Sequence, residues 1–309
     1  MSDIKKVAIL GGTGPLGGAL IPSLLRNGFT VTVISRPNGT SLSSLPSQVI
    51  VKTSEYTDVT SLVVALEGQD ALVEAFNPAS AIHQGPVLEA ALAAGVSHII
   101  TPDFSSDTFN PNIRETLVFE NKLKAKQVLE AVVAAHPNTL SWTAIIVGPW
   151  YDWLIENDYF WVNKHTKTIT CVGSGDQKVS ISRYEVCGEA LVAVLQSPAK
   201  YRNRPAYFAN HTVSTNELIS IVEDRLGLEG WKIVHVPLEE LSAQAHGLWD
   251  KDTAEGVVNR LATKAYPLLA TVAMMNENNR YEADFSQKLE SGWEQGSEVL
   301  VENLRQILA

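Results

Sequence analysis

The feature that most constrains this chain is a run of glycines set between a strand-like segment and a helix-like one near its start. Val7-Ala8-Ile9-Leu10 is a short apolar run, and Leu16 to Asn27 has helical spacing closed by Gly28. Between them stand Gly11, Gly12, Thr13, Gly14, Pro15, Leu16 and Gly17. The run satisfies two spacings at once, Gly11-Gly14-Gly17 and Gly12-Gly14-Gly17. Chemistry of this kind needs glycine because the turn must tighten and a pyrophosphate must approach the backbone with no Cβ in the way. The last glycine lets helix and strand pack closely, and the N–H groups at the helix start attract an anion. The pattern predicts a dinucleotide-binding turn formed by these seven residues. No Lys-Ser or Lys-Thr follows the glycines, which excludes a nucleotide-hydrolysing P-loop.

The first half continues the alternation. Strands are expected at Thr30–Ile34, Ser97–Thr101 and Trp142–Val147, with Asp70–Ala75 leading into another that ends near Asn77-Pro78, and helices at Leu62–Leu66, Gln84–Ala94 and Phe119–Ala135. Such βαβ alternation implies a doubly wound parallel sheet of the Rossmann type. After Gly148-Pro149 the character changes: Trp150, Tyr151, Trp153, Tyr159, Phe160 and Trp161 crowd together. Further on, a strand at Lys178–Ile181, a helix at Glu185–Gln196, a strand at Ala206–Ala209 and a helix at Thr215–Leu226 are expected, the last capped by Ser214 or Thr215 with Glu217 close behind. A polar-faced helix is expected at the end, from Glu294 to Leu308. The domain reading is a dinucleotide-binding domain over residues 1–150, completed by about 178–210, and a smaller, mixed α/β substrate domain over 151–309 interleaved with it.

With 309 residues and 45% hydrophobic content the chain can bury a large core. A net charge of −10 argues against nucleic acid as a partner. The two cysteines, Cys171 and Cys187, lie in no metal-ligand spacing and read as buried thiols. The seven histidines form no metal-binding pattern, and no Gly-x-Ser-x-Gly is present. No apolar run approaches the roughly 18 residues that span a bilayer, and the start of the chain has no signal-peptide pattern. The expectation is a cytoplasmic protein without metal or membrane, acting on a small molecule, as a monomer or a homodimer.

The tip of the second strand selects the cofactor. An Asp or Glu there suits the ribose 2′-hydroxyl of NAD, and an arginine suits the 2′-phosphate of NADP. Here Val33-Ile34-Ser35-Arg36 carries no acid, so Arg36 points to NADPH. At the end of the next central strand, backbone groups of Phe76, Asn77 and Pro78 are candidates for the nicotinamide side.

Several motifs together resemble the isoflavone reductase-like and NmrA-like group of atypical short-chain dehydrogenases. They are the glycine run followed by Arg36, Ile99-Ile100-Thr101-Pro102-Asp103-Phe104, Phe119-Glu120-Asn121-Lys122, Gly148-Pro149-Trp150, and Gly173-Ser174-Gly175-Asp176. The resemblance is clearest from about Lys6 to Pro198. It implies a catalytic lysine at Lys122, whereas spacing alone makes Lys122, Lys124 and Lys126 a solvated helix face with Lys122 and Lys126 aligned. The chain departs from the group in having lysine at Lys126, where arginine is usual, and no lysine between Leu42 and Ser47. The Tyr-x-x-x-Lys pair of ordinary short-chain dehydrogenases is absent: none of the eight tyrosines has a lysine four positions on. Phe104, Ser105, Trp150, Tyr151 and Trp153 are candidate substrate contacts, although the aromatic cluster equally suits the core of the second domain. The resemblance implies an NADPH-dependent reductase of a small aromatic or conjugated metabolite. It also leaves open a relative that binds the dinucleotide as a redox sensor and performs no chemistry.

Overall fold

The structure is a computed structural model that describes residues 3–37, 39, 42–159, 161–227 and 229–308. Its elements run β1 (Lys6–Leu10), α1 (Pro15–Arg26), β2 (Thr30–Ser35), β3 (Ile50–Thr53), α2 (Val59–Leu66), β4 (Ala71–Glu74), α3 (Gln84–Ala93), β5 (His98–Ile100), α4 (Glu120–Ala135) and β6 (Ser141–Ile146). There follow α5 (Tyr151–Glu156), β7 (Val162–Asn163), β8 (Thr168–Val172), β9 (Val179–Ile181), α6 (Val186–Gln196), β10 (Arg204–Tyr207), β11 (His211–Val213) and α7 (Thr215–Ser220). The chain ends with β12 (Lys232–Val236), α8 (Leu238–Ala254), α9 (Ala265–Met274) and α10 (Ser297–Leu308).

These elements fall into two compact units. The first comprises Met1–Phe104, Glu120–Ile145 and Glu185–Ala206, and the second Ser105–Phe119, Ile146–Tyr184 and Tyr207–Ala309. The chain passes between the units five times, with 185–206 returning to the first and 105–119 belonging to the second.

The first unit is built on a seven-stranded sheet ordered β10-β6-β5-β4-β1-β2-β3. Neighbours from β6 to β3 pair in parallel, with Val7 opposite both Val31 and Ala71, and Ile99 opposite both Leu72 and Trp142. The central strands are buried along almost their whole length because helices cover both faces, which is why they read as continuous apolar runs. The order reverses between β1 and β4. In doubly wound sheets that reversal opens a crevice at the strands' carboxyl ends, where ligands bind.

The second unit holds a three-stranded sheet, β12-β8-β7, and an antiparallel pair of β9 and β11. Its core gathers Tyr151, Ile155, Ile169, Ile181, Leu241, Met275 and the Leu300/Leu304/Leu308 stripe of α10. That stripe repeats every four residues, so one face of the terminal helix is apolar and the other polar.

Most expected elements stand within about three residues of their places, with three differences, the first being that the strand expected to end near Asn77-Pro78 stops at Glu74. The strand expected at Ala206–Ala209 lies earlier, at Arg204–Tyr207, with β11 following separately. The helix expected from Thr215 to Leu226 changes after Ser220 to a π-helical turn, Ile221–Arg225. Its start is capped as expected: Ser214 Oγ accepts from Glu217 N–H at 3.1 Å, and the Glu217 carboxylate accepts from Ser214 N–H at 2.7 Å. β3, α5, β7, β8, β12, α8 and α9 have no counterpart in the sequence reading. Cys171 and Cys187 are both buried thiols. Among the described residues no helix is long and apolar enough to cross a membrane.

Candidate functional site

The glycine turn leaves β1 and enters α1 with almost no space to spare. Gly11 adopts φ +78°, a left-handed conformation, and a Cβ on it would sit 2.7 Å from the carbonyl oxygen of Ala75. A Cβ on Gly17 would lie 1.9 Å from the carbonyl oxygen of Gly12, so only hydrogen fits there. The Gly14 N–H donates to Gly11 O at 3.0 Å and closes the turn. Gly14 then occupies the cap position of α1 with no side-chain cap, Pro15 opens the helix, and the first turn carries no acid. The positive end of a twelve-residue helix is therefore left without a counter-charge from its own first turn. Thr13, Gly14 and Leu16 are half-buried around it. This turn fits a dinucleotide's phosphates, since the helix start has neither a side-chain cap nor an acid, and a side chain at Gly11 or Gly17 would force the turn's own backbone apart.

Arg36 is exposed just beyond β2, with its guanidinium 5.9 Å from the ring centre of Tyr56. Tyr56 is the residue that sequence reasoning missed. Its ring is buried, its hydroxyl accepts from Gly11 N–H at 3.0 Å and donates to Ile34 O at 3.5 Å, and its ring centre lies 5.9 Å from that of Phe76. One side chain thus ties the glycine turn, the tip of β2, Arg36 and the end of β4 together. Burial pushes its hydroxyl's pKa up, against the opposing pull of Gly11 N–H and Arg36. Beyond Phe76, the Asn77 side-chain oxygen accepts from Ser80 N–H at 3.1 Å and fixes the helical turn that Pro78 begins.

Beyond β5 the chain turns sharply at Phe104, a buried residue with φ +32°. Here Lys122 Nζ donates to the Asp103 carbonyl oxygen at 3.1 Å, and Thr101 Oγ1 donates to the Asp103 carboxylate at 2.5 Å. The solvated face expected from spacing is corrected at this point. Lys122 is only 8% exposed, while Lys124 on the same helix is exposed and pairs with Glu120 at 2.7 Å. Two positions along α4 turn the side chain by about 200°, enough to separate buried from solvated. Burial lowers the Lys122 pKa from its ordinary value, and the Asp103 charge opposes the shift. Next to this group, at the end of β4, Glu74 is fully buried and accepts from Gln84 Nε2 at 2.8 Å.

The first unit thus brings together Gly11 to Gly17, Arg36, Phe76, Asn77, Pro78, Phe104 and Lys122. Phe104, expected as a substrate contact, is 1% exposed there and packs as core.

The other candidates belong to the second unit. Ser105 accepts through its carbonyl from Val147 N–H at 3.2 Å and Gly148 N–H at 3.0 Å. Trp150 is half-buried, edge-on to Trp153 at 5.9 Å and tilted against Tyr184 at 5.5 Å, and Trp153 stacks on Tyr159 at 6.0 Å. Asp152 braces this shelf by accepting from the backbone N–H groups of Trp153 and Tyr184, each at 2.8 Å. Tyr151, expected beside them as a pocket wall, is instead fully buried: its hydroxyl accepts from Asn303 Nδ2 at 3.0 Å and its ring packs on His211. The cluster therefore divides between core and surface. Phe160 lies outside the described residues.

Comparison with known proteins agrees with this geometry. The model of the NmrA-like family matches residues 3–293. A curated relative from Aspergillus flavus, oxidoreductase aprR, is 29% identical over 239 residues, covering 76% of this chain and 78% of its own. Among solved structures, the binary complex of leucoanthocyanidin reductase from Vitis vinifera with NADPH superposes with a TM-score of 0.73 at 16% identity, covering 98% of this chain and 99% of that one. AtPrR2 with NADP+ and (+)pinoresinol superposes with a TM-score of 0.72 at 16% identity over the full length of both chains.

Proposed function

The chain belongs to the NmrA-like family, and on that premise we propose that it is an NADPH-dependent reductase of a small aromatic or conjugated metabolite, with Lys122 handling the proton. The observation that carries this reading is the joint presence, in one unit, of an uncapped glycine-turn helix, a cation at the tip of β2 and a buried lysine at the end of the sheet. The turn of Gly11 to Gly17 would receive the diphosphate, and Arg36, steadied by Tyr56, would receive the 2′-phosphate. Backbone groups at Phe76, Asn77 and Pro78 are assigned to the nicotinamide side. When bound, NADPH supplies the hydride.

Lys122 supplies what the acceptor then needs. Its amine is dry and pinned by the Asp103 carbonyl, so it gives up a proton more readily than a solvated lysine. The half-exposed faces of Trp150 and Trp153 suit a flat aromatic substrate, and Ser105, in the same unit, adds a hydroxyl. The oxidoreductase name of the Aspergillus relative and the NADPH and NADP+ of the two superposed reductases support the same reading.

The test is NADPH oxidation by wild type and Lys122→Ala against conjugated aromatic ketones, phenylpropenoids and quinones, with NADPH affinity measured alongside. Turnover is expected to fall by about 10²–10⁴ in the variant while NADPH still binds. Tight NADPH binding with no wild-type turnover on any acceptor, unchanged by the substitution, would instead indicate a dinucleotide-binding regulator without chemistry.

A further inference from the structure

Glu74 is an acid at the end of an otherwise apolar, fully buried strand, and none of its surface meets solvent. One carboxyl oxygen accepts from Gln84 Nε2 at 2.8 Å, and the other, Oε2, has no hydrogen-bond partner among the described residues. The charged group that acts on it is a second acid, Asp103 beyond β5. Every neighbouring element tells the same story. β1 places aliphatic Leu10 in register with it, α3 contributes the neutral amide of Gln84, and Lys122 of α4 is turned to the Asp103 carbonyl. A carboxylate in that place would keep a bare charged oxygen in an apolar interior beside another negative charge, a cost that protonation lowers. Burial, with Asp103 adding to it and Gln84 opposing, pushes the Glu74 pKa up to about 8.

Position gives this proton its consequence. Gly11 packs against the carbonyl of Ala75, the residue after Glu74, so the acid sits one residue from the contact between the glycine turn and β4. We propose that Glu74 is a positioning residue: held as a neutral carboxylic acid on the α3 side of β4, it keeps a negative charge from the strand end whose next residue, Ala75, packs against the glycine turn. The functional part rests on the reductase reading; the protonation of Glu74 does not.

The test measures NADPH affinity and thermal stability against pH for wild type and Glu74→Gln. Above about pH 7 the 2′-phosphate is already largely dianionic, so a change there reports on the protein. Wild-type Kd is expected to rise as Glu74 ionises, by up to about tenfold per pH unit beyond its midpoint, and the variant's slope to be at most about a third of that. For stability the sign follows from the raised pKa. The contribution of Glu74 is complete below its ordinary value of 4.5 and is lost as pH rises through about 8. Glu74→Gln should therefore gain melting temperature relative to wild type as pH rises. Equal slopes in the two proteins would overturn the proposal. Should the variant fail to fold, carboxyl-carbon NMR of glutamate-labelled wild type decides: one glutamate titrating near 8 supports it, and all titrating in the ordinary range overturns it. Absence of NADPH binding at every pH would sink the reductase reading instead, and the melting and NMR results would still judge Glu74.

Discussion

Glu74 in the first unit and Asp107 in the second both bury their carboxyl groups almost completely, yet their surroundings differ in kind. Asp107 accepts from Lys288 Nζ at 2.8 Å, Phe109 N–H at 2.8 Å and the Tyr207 hydroxyl at 3.3 Å, and Lys288 also pairs with Glu282. Burial raises its pKa, and Lys288 and the Phe109 N–H oppose the rise. Donors surround that carboxyl group, a cation among them, and it ties the 105–119 segment to the 282–288 segment within the unit. Among the described residues Glu74 has one amide donor and no cation, and its surroundings favour the proton. The contrast extends to the candidate sites. In the first unit residues are held by backbone fit and burial, as at Gly11, Gly17 and Lys122; in the second they are held by paired side chains and stacked rings.

The contrast breaks most visibly where backbone fit is removed. Gly17→Ala should weaken NADPH binding at least about a hundredfold, about 2.7 kcal/mol, because the new methyl meets a backbone carbonyl that no rotamer change can clear. Binding calorimetry on the folded variant checks this, and near-normal affinity would show that the turn does not need its glycine. Lys288→Met probes the other side. It should cost about 2 kcal/mol in chemical denaturation at neutral pH, since Asp107 keeps its burial and loses its cation. The loss should shrink in acid, where Asp107 takes up a proton. If Lys288→Met cost no stability at neutral pH, the two carboxyls would not differ as described. The smallest effect is expected from Tyr56→Phe, which deletes the acceptor for Gly11 N–H but keeps the ring under Arg36. About 1 kcal/mol, roughly fivefold in NADPH affinity, should be lost. A larger loss would mean that the hydroxyl rather than the ring organises the turn.

What the sequence made legible follows the same division. The glycine turn, the strands around it and Arg36 are local patterns, since strand, turn and helix stand within a few consecutive residues. The Ser214/Glu217 cap is equally local. Tyr56 was invisible because its work is done on Gly11, 45 positions away, and on Ile34, 22 positions away. Glu74 carried a signal that could have been read, an acid within Ala71-Leu72-Val73-Glu74-Ala75-Phe76, but its lack of a cation appears only in three dimensions. Spacing alone misplaced Lys122 among the solvated lysines, because a mixed helix face does not announce which member turns inward. α8 escaped notice because polar and charged residues interrupt its apolar ones, and only Leu241 and Ala245 are buried along its length.

Hydride transfer itself is the central claim, and isotope transfer measures it most directly. NADPH deuterated at either face of nicotinamide C4 would be incubated with the protein and the acceptor panel, and the products analysed by mass spectrometry. The account predicts deuterium in the product from one face only, with transfer strongly reduced in Lys122→Ala. Tight binding of the labelled cofactor with no deuterium reaching any acceptor would contradict it.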